Sequence, residues 1–190
     1  CIVRIWNNAS DKDTFEYLKS LSQLETPGFK FDIIHNLKND GFIRPNNTLA
    51  GRCESDYIIL LNSDCKVFKG WDELIMGHLN AGYDQVGYLG GLLDSEGKGI
   101  SAGTYGDDID YVSGFCFGVH RSTYEKLGLF DEENLKFAYG EDSDFSLRIK
   151  ESNGKILALS VPLVFHFGNK TIQKVSREGE IDLVGNFQAN

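Results

Sequence analysis

Eight residues, Tyr57-Ile58-Ile59-Leu60-Leu61-Asn62-Ser63-Asp64, constrain what this chain can fold into more than any other stretch. The apolar run 57–61, short and rich in Ile and Leu, reads as a strand buried on both faces. Such a strand belongs inside an α/β sheet, where ligands bind beyond the carboxyl ends of the strands. The run stops there at an Asn, a Ser and an Asp. Asp64 is a hard oxygen ligand of the kind that holds Mg²⁺ or Mn²⁺ together with substrate phosphates. The same residue types also cap turns, and on these residues alone both readings stand.

The segments on either side repeat the theme. Residues 1–6 read as a strand and Asn7-Asn8-Ala9-Ser10 as a loop. Ser10 with Asp13 makes a capping box, and Phe15, Leu18 and Leu21 recur at helical spacing behind it. Residues 31–35 form a second strand, and Asn39-Asp40-Gly41-Phe42 a turn in which Gly41 is free to take positive φ. Residues 45–54 read as a helix with Pro45 at its start, and Trp71, Leu74, Ile75 and Leu79 mark another. Strand alternating with helix implies right-handed βαβ units and an α/β fold with a mixed, mainly parallel sheet flanked by helices. Further on, 86–93 reads as a strand, the Gly- and Asp-rich 94–110 as a mobile loop, and 111–119 as a strand. Ser122 with Glu125 makes a second capping box. A helix over about 142–153 stops at Gly154, and strands follow at 155–159 and 162–166. The expected organisation is one domain over 1–170 and a polar C-terminal segment over 171–190.

The net charge of −9 argues against nucleic acid and against an anionic membrane surface. No apolar run approaches the ~20 residues that span a bilayer. The four cysteines, Cys1, Cys53, Cys65 and Cys116, show no metal-type spacing and read as free thiols in a reducing compartment. A first residue other than Met suggests a fragment or a processed form.

Three blocks, in order, resemble the family 2 glycosyltransferases, inverting enzymes of the GT-A fold. Asn7-Asn8-Ala9-Ser10 through Leu21, with Asn39-Asp40-Gly41-Phe42 and Asn47, is similar to the family's N-terminal nucleotide region. Leu61-Asn62-Ser63-Asp64 is similar to its "LNxD" version of the DxD motif. Ser113-Gly114-Phe115 through Arg121, Gly128 to Glu132, Glu141-Asp142-Ser143-Asp144-Phe145, Leu147-Arg148 and His166 follow its C-terminal half. The resemblance implies a GT-A sheet, a nucleotide-diphosphate sugar donor, Mn²⁺ or Mg²⁺, and a glycan, lipid-linked or protein acceptor. It implies Asp64 and His166 as metal ligands, and Asp142, with Glu141 as fallback, as the base that deprotonates the acceptor. Asn7, Asn39, Gly41, Asn47, Asn62 and Ser63 fall on the donor side. Ser113 and Gly114 fall on the acceptor side, and Arg121 is a candidate for phosphate or acceptor. Asn7 and Asn62 stand where the family often has Asp. Arg148 is expected to pair with an acid of the 131–144 cluster. The implied activity is hexosyl or deoxyhexosyl transfer, as in polysaccharide biosynthesis, in the cytoplasm or at the inner face of a membrane.

Two rivals share this fold class. A nucleotidyltransferase would need a Gly-rich basic phosphate loop after its first strand, and none is visible. A non-catalytic glycan- or partner-binding module is favoured by the Asn residues at 7 and 62. The resemblance begins at the family's second strand, so the first is expected to be missing and donor binding weakened. The strands at 1–6 and 57–61 are then expected either to pair directly or to accept a strand from a second copy in a homodimer.

Overall fold

The computed structural model describes residues 1–135 and 140–168, and the segment 171–190 therefore lies outside the described residues. β1 (Ile2–Asn8) and β2 (Lys30–Asn36) pair in parallel, from Ile2 opposite Lys30 to Asn8 opposite Asn36. The crossover between them is α1 (Lys12–Ser22), capped by Asp11, whose carboxylate accepts the Thr14 N–H at 2.9 Å. The cap is thus one residue past the expected Ser10. α2 (Ile43–Gly51), which holds Pro45 in its first turn, leads to β3 (Tyr57–Leu61).

β3 is the edge of a four-stranded sheet ordered β10-β5-β9-β3, with β5 at Gln85–Gly87, β9 at Cys116–His120 and β10 at Ile156–Ala158. Ile58 and Leu60 enter a core with Phe117, Val119, Phe130, Phe145 and Ile149. Tyr57 and Ile59 pack on a second core formed by Ile75, Leu79, Val86 and Cys116. The strand is covered on both faces, as its composition requires. α3 (Trp71–Asn80) covers the second core, and α4 (Arg121–Leu127) and α5 (Glu141–Glu151) follow β9.

The sheet is mixed, but among the described residues five of seven ladders are antiparallel, which corrects the expectation of a mainly parallel one. The reason lies in the second half of the chain, where β9 runs against both β3 and β5, the strand Gly90–Leu93 runs against both its neighbours, and the late strand Val164–His166 returns against Cys65–Val67. The expected strand 86–93 is two strands, β5 and β6 (Gly90–Leu93). The expected loop 94–110 contains β7 (Gly99–Thr104), a hairpin partner of β6. The expected strand 111–119 is broken into β8 (Tyr111–Val112) and β9. α4 is entered from His120 with no side-chain cap, so the second capping box is not formed either.

Among the described residues β1 pairs with β2 alone and β3 with β9 alone, so the direct pairing of 1–6 with 57–61 does not form. β1 packs against α2 instead. No helix of the described residues is long and apolar enough to cross a membrane.

Candidate functional site

The site begins with a strand that sequence reading missed. β4 (Cys65–Val67) starts one residue after Asp64 and pairs antiparallel with β11 (Val164–His166), with His166 opposite Cys65. The ladder is extended by the Phe167 N–H, which donates to the Asp64 carbonyl at 2.9 Å. It brings His166 Nε2 to 3.0 Å from Asp64 Oδ1 across 102 positions of sequence. The His166 ring stacks on Phe115, with centroids 4.6 Å apart and an interplanar angle of 10°. One ligand atom each from Asp64, Cys65 and His166 all lie within 4.8 Å of one another. An oxygen, a nitrogen and a sulfur donor so spaced are a fitting donor set for a divalent ion. Burial, and then the Asp64 carboxylate, push the Cys65 thiol up to about 11.

The break between β8 and β9 supplies the next part. In the three residues 113–115, each peptide has a separate partner. The Ser113 N–H donates to the Leu89 carbonyl at 2.8 Å, and the Phe115 carbonyl accepts the Asn62 N–H at 2.8 Å. Between them the Gly114 N–H donates to Asp142 Oδ2 at 3.0 Å. Asp142 Oδ1 accepts the Ser143 N–H at 2.9 Å. Burial holds the Asp142 carboxyl above the usual range, and the hydrogen bonds from Gly114 and Ser143 oppose that only in part. A Cβ on Gly114 would stand 3.4 Å from the Asp142 Cβ and 3.7 Å from Glu141 Oε1, so both acids lie within contact range of this one glycine. Glu141 and Asp142 also occupy the first turn of α5, where the helix dipole favours acids. Burial and the Asp142 charge together raise the Tyr111 phenol nearby. Asp142 therefore hangs on the Gly114 N–H, while the next residue, Phe115, carries His166 on its ring and Asn62 on its carbonyl.

The donor-side residues divide into those that are committed to the protein and those that are not. Asn7 is buried, its Oδ1 accepts the Ser10 N–H at 3.0 Å, and its Nδ2 lies 3.0 Å from His35 Nδ1. It thereby holds its own loop together. Asn47 is engaged likewise: its Nδ2 donates to the Phe130 carbonyl at 2.9 Å and its Oδ1 accepts the Phe130 N–H at 3.0 Å. That pair imitates a strand partner and ties α2 to the segment after α4. Asn39 Oδ1 accepts from Gly41 N–H at 3.0 Å and from Asn8 Nδ2 at 2.7 Å. Asn8, which sequence reading did not assign, also donates to the Gly41 carbonyl at 2.8 Å and accepts the Asp40 N–H at 2.7 Å. Gly41 has φ of 73°, the left-handed value expected for it. Strand alternation sets Asn8 on the face opposite Asn7, which is the signal that separates their roles. Asn62 is half-buried and Ser63 exposed at the mouth beside Asp64.

Arg121 does not join these residues. It follows β9 at the end where His120 faces Tyr57, whereas the site lies where Cys116 faces Leu61. About 15 Å of strand separates the two ends. Its guanidinium is engaged by Glu125 at 2.8 Å and by the Glu54 carbonyl at 3.0 Å. Arg148 pairs with Asp144 at 2.8 Å, and donates to the Leu127 and Leu129 carbonyls, which is the structural role expected of it.

The fold is found in known proteins. Residues 3–96 match the model of Glycosyl transferase family 2. Through this segment the chain belongs to glycosyl transferase family 2. Its fold is GT-A, as in the solved structure of GalNAc-T7 with UDP, GalNAc and Mn²⁺, with a TM-score of 0.71 at 17% identity over 86% of this chain and 37% of that one. The mannosyltransferase PcManGT from Pyrobaculum calidifontis, in complex with GDP-Man and Mn²⁺, gives 0.67 at 10% identity over 98% of this chain and 59% of that one. A curated relative from Macaca fascicularis, the inactive polypeptide N-acetylgalactosaminyltransferase-like protein 5, is 24% identical over 183 residues. The alignment takes in 80% of this chain and 41% of that relative, so this family 2 chain spans about two fifths of its length.

Proposed function

We propose that this chain transfers a sugar from a nucleotide-diphosphate donor to an acceptor hydroxyl with inversion. The observation that carries the reading is the convergence of the Asp64–His166 pair and Asp142 on two successive residues, Gly114 and Phe115. Asp64 and His166 would hold Mn²⁺ or Mg²⁺, which when bound supplies Lewis-acid neutralisation of the departing diphosphate. The neighbours solved with Mn²⁺ support that ion. Asn62 and Ser63, beside Asp64, face the donor. Asp142 accepts the proton of the acceptor hydroxyl, and its burial brings its basicity closer to neutral pH than an exposed Asp has. Glu141 stands by the same glycine as the fallback base. Gly114 has no side chain between these acids and an acceptor, and Ser113 lies next to it.

UDP- and GDP-sugars with Mn²⁺ form the test panel, with nucleoside diphosphate release and product anomer as the readout. Hydrolysis or transfer with inversion supports the proposal; an α-retained product from an α-linked donor overturns it. Release of pyrophosphate instead would mark a nucleotidyltransferase.

A second reading has its own support. The relative from Macaca is inactive by name, and Asn7, at a family Asp position, is committed to its loop. On that reading the chain binds a glycan or a partner without catalysis. Calorimetry separates the two: a binding module takes up glycan with no ion or nucleotide present. The homodimer expected as one repair of the sheet finds no support in the single chain, and sedimentation at several concentrations would test it. Location in the cytoplasm and a role in polysaccharide synthesis belong to the proposed transferase function.

A further inference from the structure

Cys65 is the residue of the site that neither the family motif nor the proposed reaction uses. Its register on β4 is opposite His166, so both side chains leave the ladder on one face. Its Sγ donates a weak hydrogen bond to the Phe115 carbonyl at 3.7 Å, the same residue whose ring carries His166. Asp64, Cys65 and His166 are the group of three metal-ligating side chains found among the described residues. A small buried hydrophobe would account for Cys65 packing on the second core, but not for the convergence of its sulfur with a carboxylate and an imidazole.

We infer that Cys65 is a third protein ligand of the ion held by Asp64 and His166, and that it turns the site toward thiophilic divalent ions such as Zn²⁺ and Co²⁺. The inference rests on the metal site proposed above. Coordination replaces the S–H proton, released to water, by a sulfur–metal bond; a bound cation keeps such a thiol deprotonated. Ligand bonds of about 2.0–2.3 Å bring donors within about 3–4 Å of one another. His166 and Asp64 already meet this at 3.0 Å. Hard oxygen sites suit Mg²⁺ and Mn²⁺, whereas a thiolate shifts affinity toward Zn²⁺ and its neighbours. Zn²⁺ binds most sites more tightly than Mn²⁺ in any case, so the informative quantity is how far that gap shrinks when the sulfur is removed.

The experiment titrates Co²⁺, Zn²⁺ and Mn²⁺ into the full chain, Cys65→Ser, Cys65→Ala and Asp64→Asn, followed by calorimetry and near-ultraviolet absorption. Wild type is expected to show a thiolate-to-Co²⁺ charge-transfer band, and both Cys65 variants to lack it while still binding Co²⁺ through Asp64 and His166. Loss of the sulfur should weaken Zn²⁺ and Co²⁺ by at least about 10–100-fold, with a smaller change for Mn²⁺. Stoichiometric Co²⁺ binding without the band, or a band that persists in Cys65→Ser, overturns the inference but spares the metal site. Binding that survives unchanged in Asp64→Asn overturns the site and the inference together. Wild-type spectra alone decide the sulfur question if a Cys65 variant fails to fold.

Discussion

At the scale of the residue, Asp142 carries the clearest expectations. Asp142→Asn should lower transfer by roughly 10²–10⁴-fold, the usual worth of a positioned base, with nucleotide affinity unchanged by calorimetry. Burial raises its carboxyl above the ordinary 3.8. Transfer needs the anion, so kcat/KM should climb as pH rises through that elevated value, and the limb should vanish in a variant with no base there. The stability sign is opposite: a raised folded value means the fold prefers the neutral acid, a contribution present below the unfolded value and lost as pH rises through the folded one. Asp142→Asn stays neutral throughout, so its Tm at pH 7 should equal or exceed that of wild type, whereas at pH 3 the two should converge. Asn47 makes the contrasting case. Asn47→Leu removes both bonds to the Phe130 backbone and leaves two buried groups seeking partners. Unfolding in urea should show a loss of about 1–3 kcal/mol, and the donor Kd should not move; a large change in Kd with intact stability would restore Asn47 to the donor site.

Among the elements, β9 is the one against which others are fitted. A Cβ on its Gly118 would meet Ile75 Cγ2 at 2.4 Å, so α3 approaches the sheet only because that position is glycine. Gly118→Ala should cost about 1–3 kcal/mol of stability by overpacking, read from the denaturant midpoint at unchanged slope. The sequence made such central parts visible and concealed the return strands, for physical reasons. Residues 57–61 are uniformly apolar because both faces are covered, and that pattern is hard to mistake. β7 has two glycines in Gly99–Thr104, so no alternation marks it. β4 is three residues of mostly exposed ribbon, and only its partner β11, about a hundred positions later, makes it a strand. The spacing of the family motifs singled out Asp64, His166, Asp142 and Gly114, and the fold pairs Asp64 with His166 and Asp142 with Gly114. The intramolecular partners of Asn7, Asn47 and Arg121 were not legible, because an amide or a guanidinium looks the same in sequence whether it faces a ligand or a backbone carbonyl. Cys65 was passed over because a single cysteine has no spacing to read.

At the scale of the molecule, β1, β2 and α1 form a layer of their own. Neither hydrophobic core contains a buried residue from them, and Ile2, Phe15 and Phe29 are exposed. Native-state hydrogen exchange should therefore show residues 2–36 opening at a lower free energy than β9 and β5, and a donor nucleotide with Mn²⁺ should slow that exchange; uniform protection would mean the layer is held by more than the contacts described. The same separation appears on the other side of the site. Asp64, Asp142 and His166 belong to neither core, and Asp142 is held by backbone N–H groups that any side chain at 114 or 143 would still offer, proline aside. In evolutionary terms, a lineage with this architecture can shed its chemistry by single substitutions without first losing its shape. Such a scaffold is free to persist for its surface alone, and descendants that keep the sheet while abandoning the charges are the expected by-product of its design.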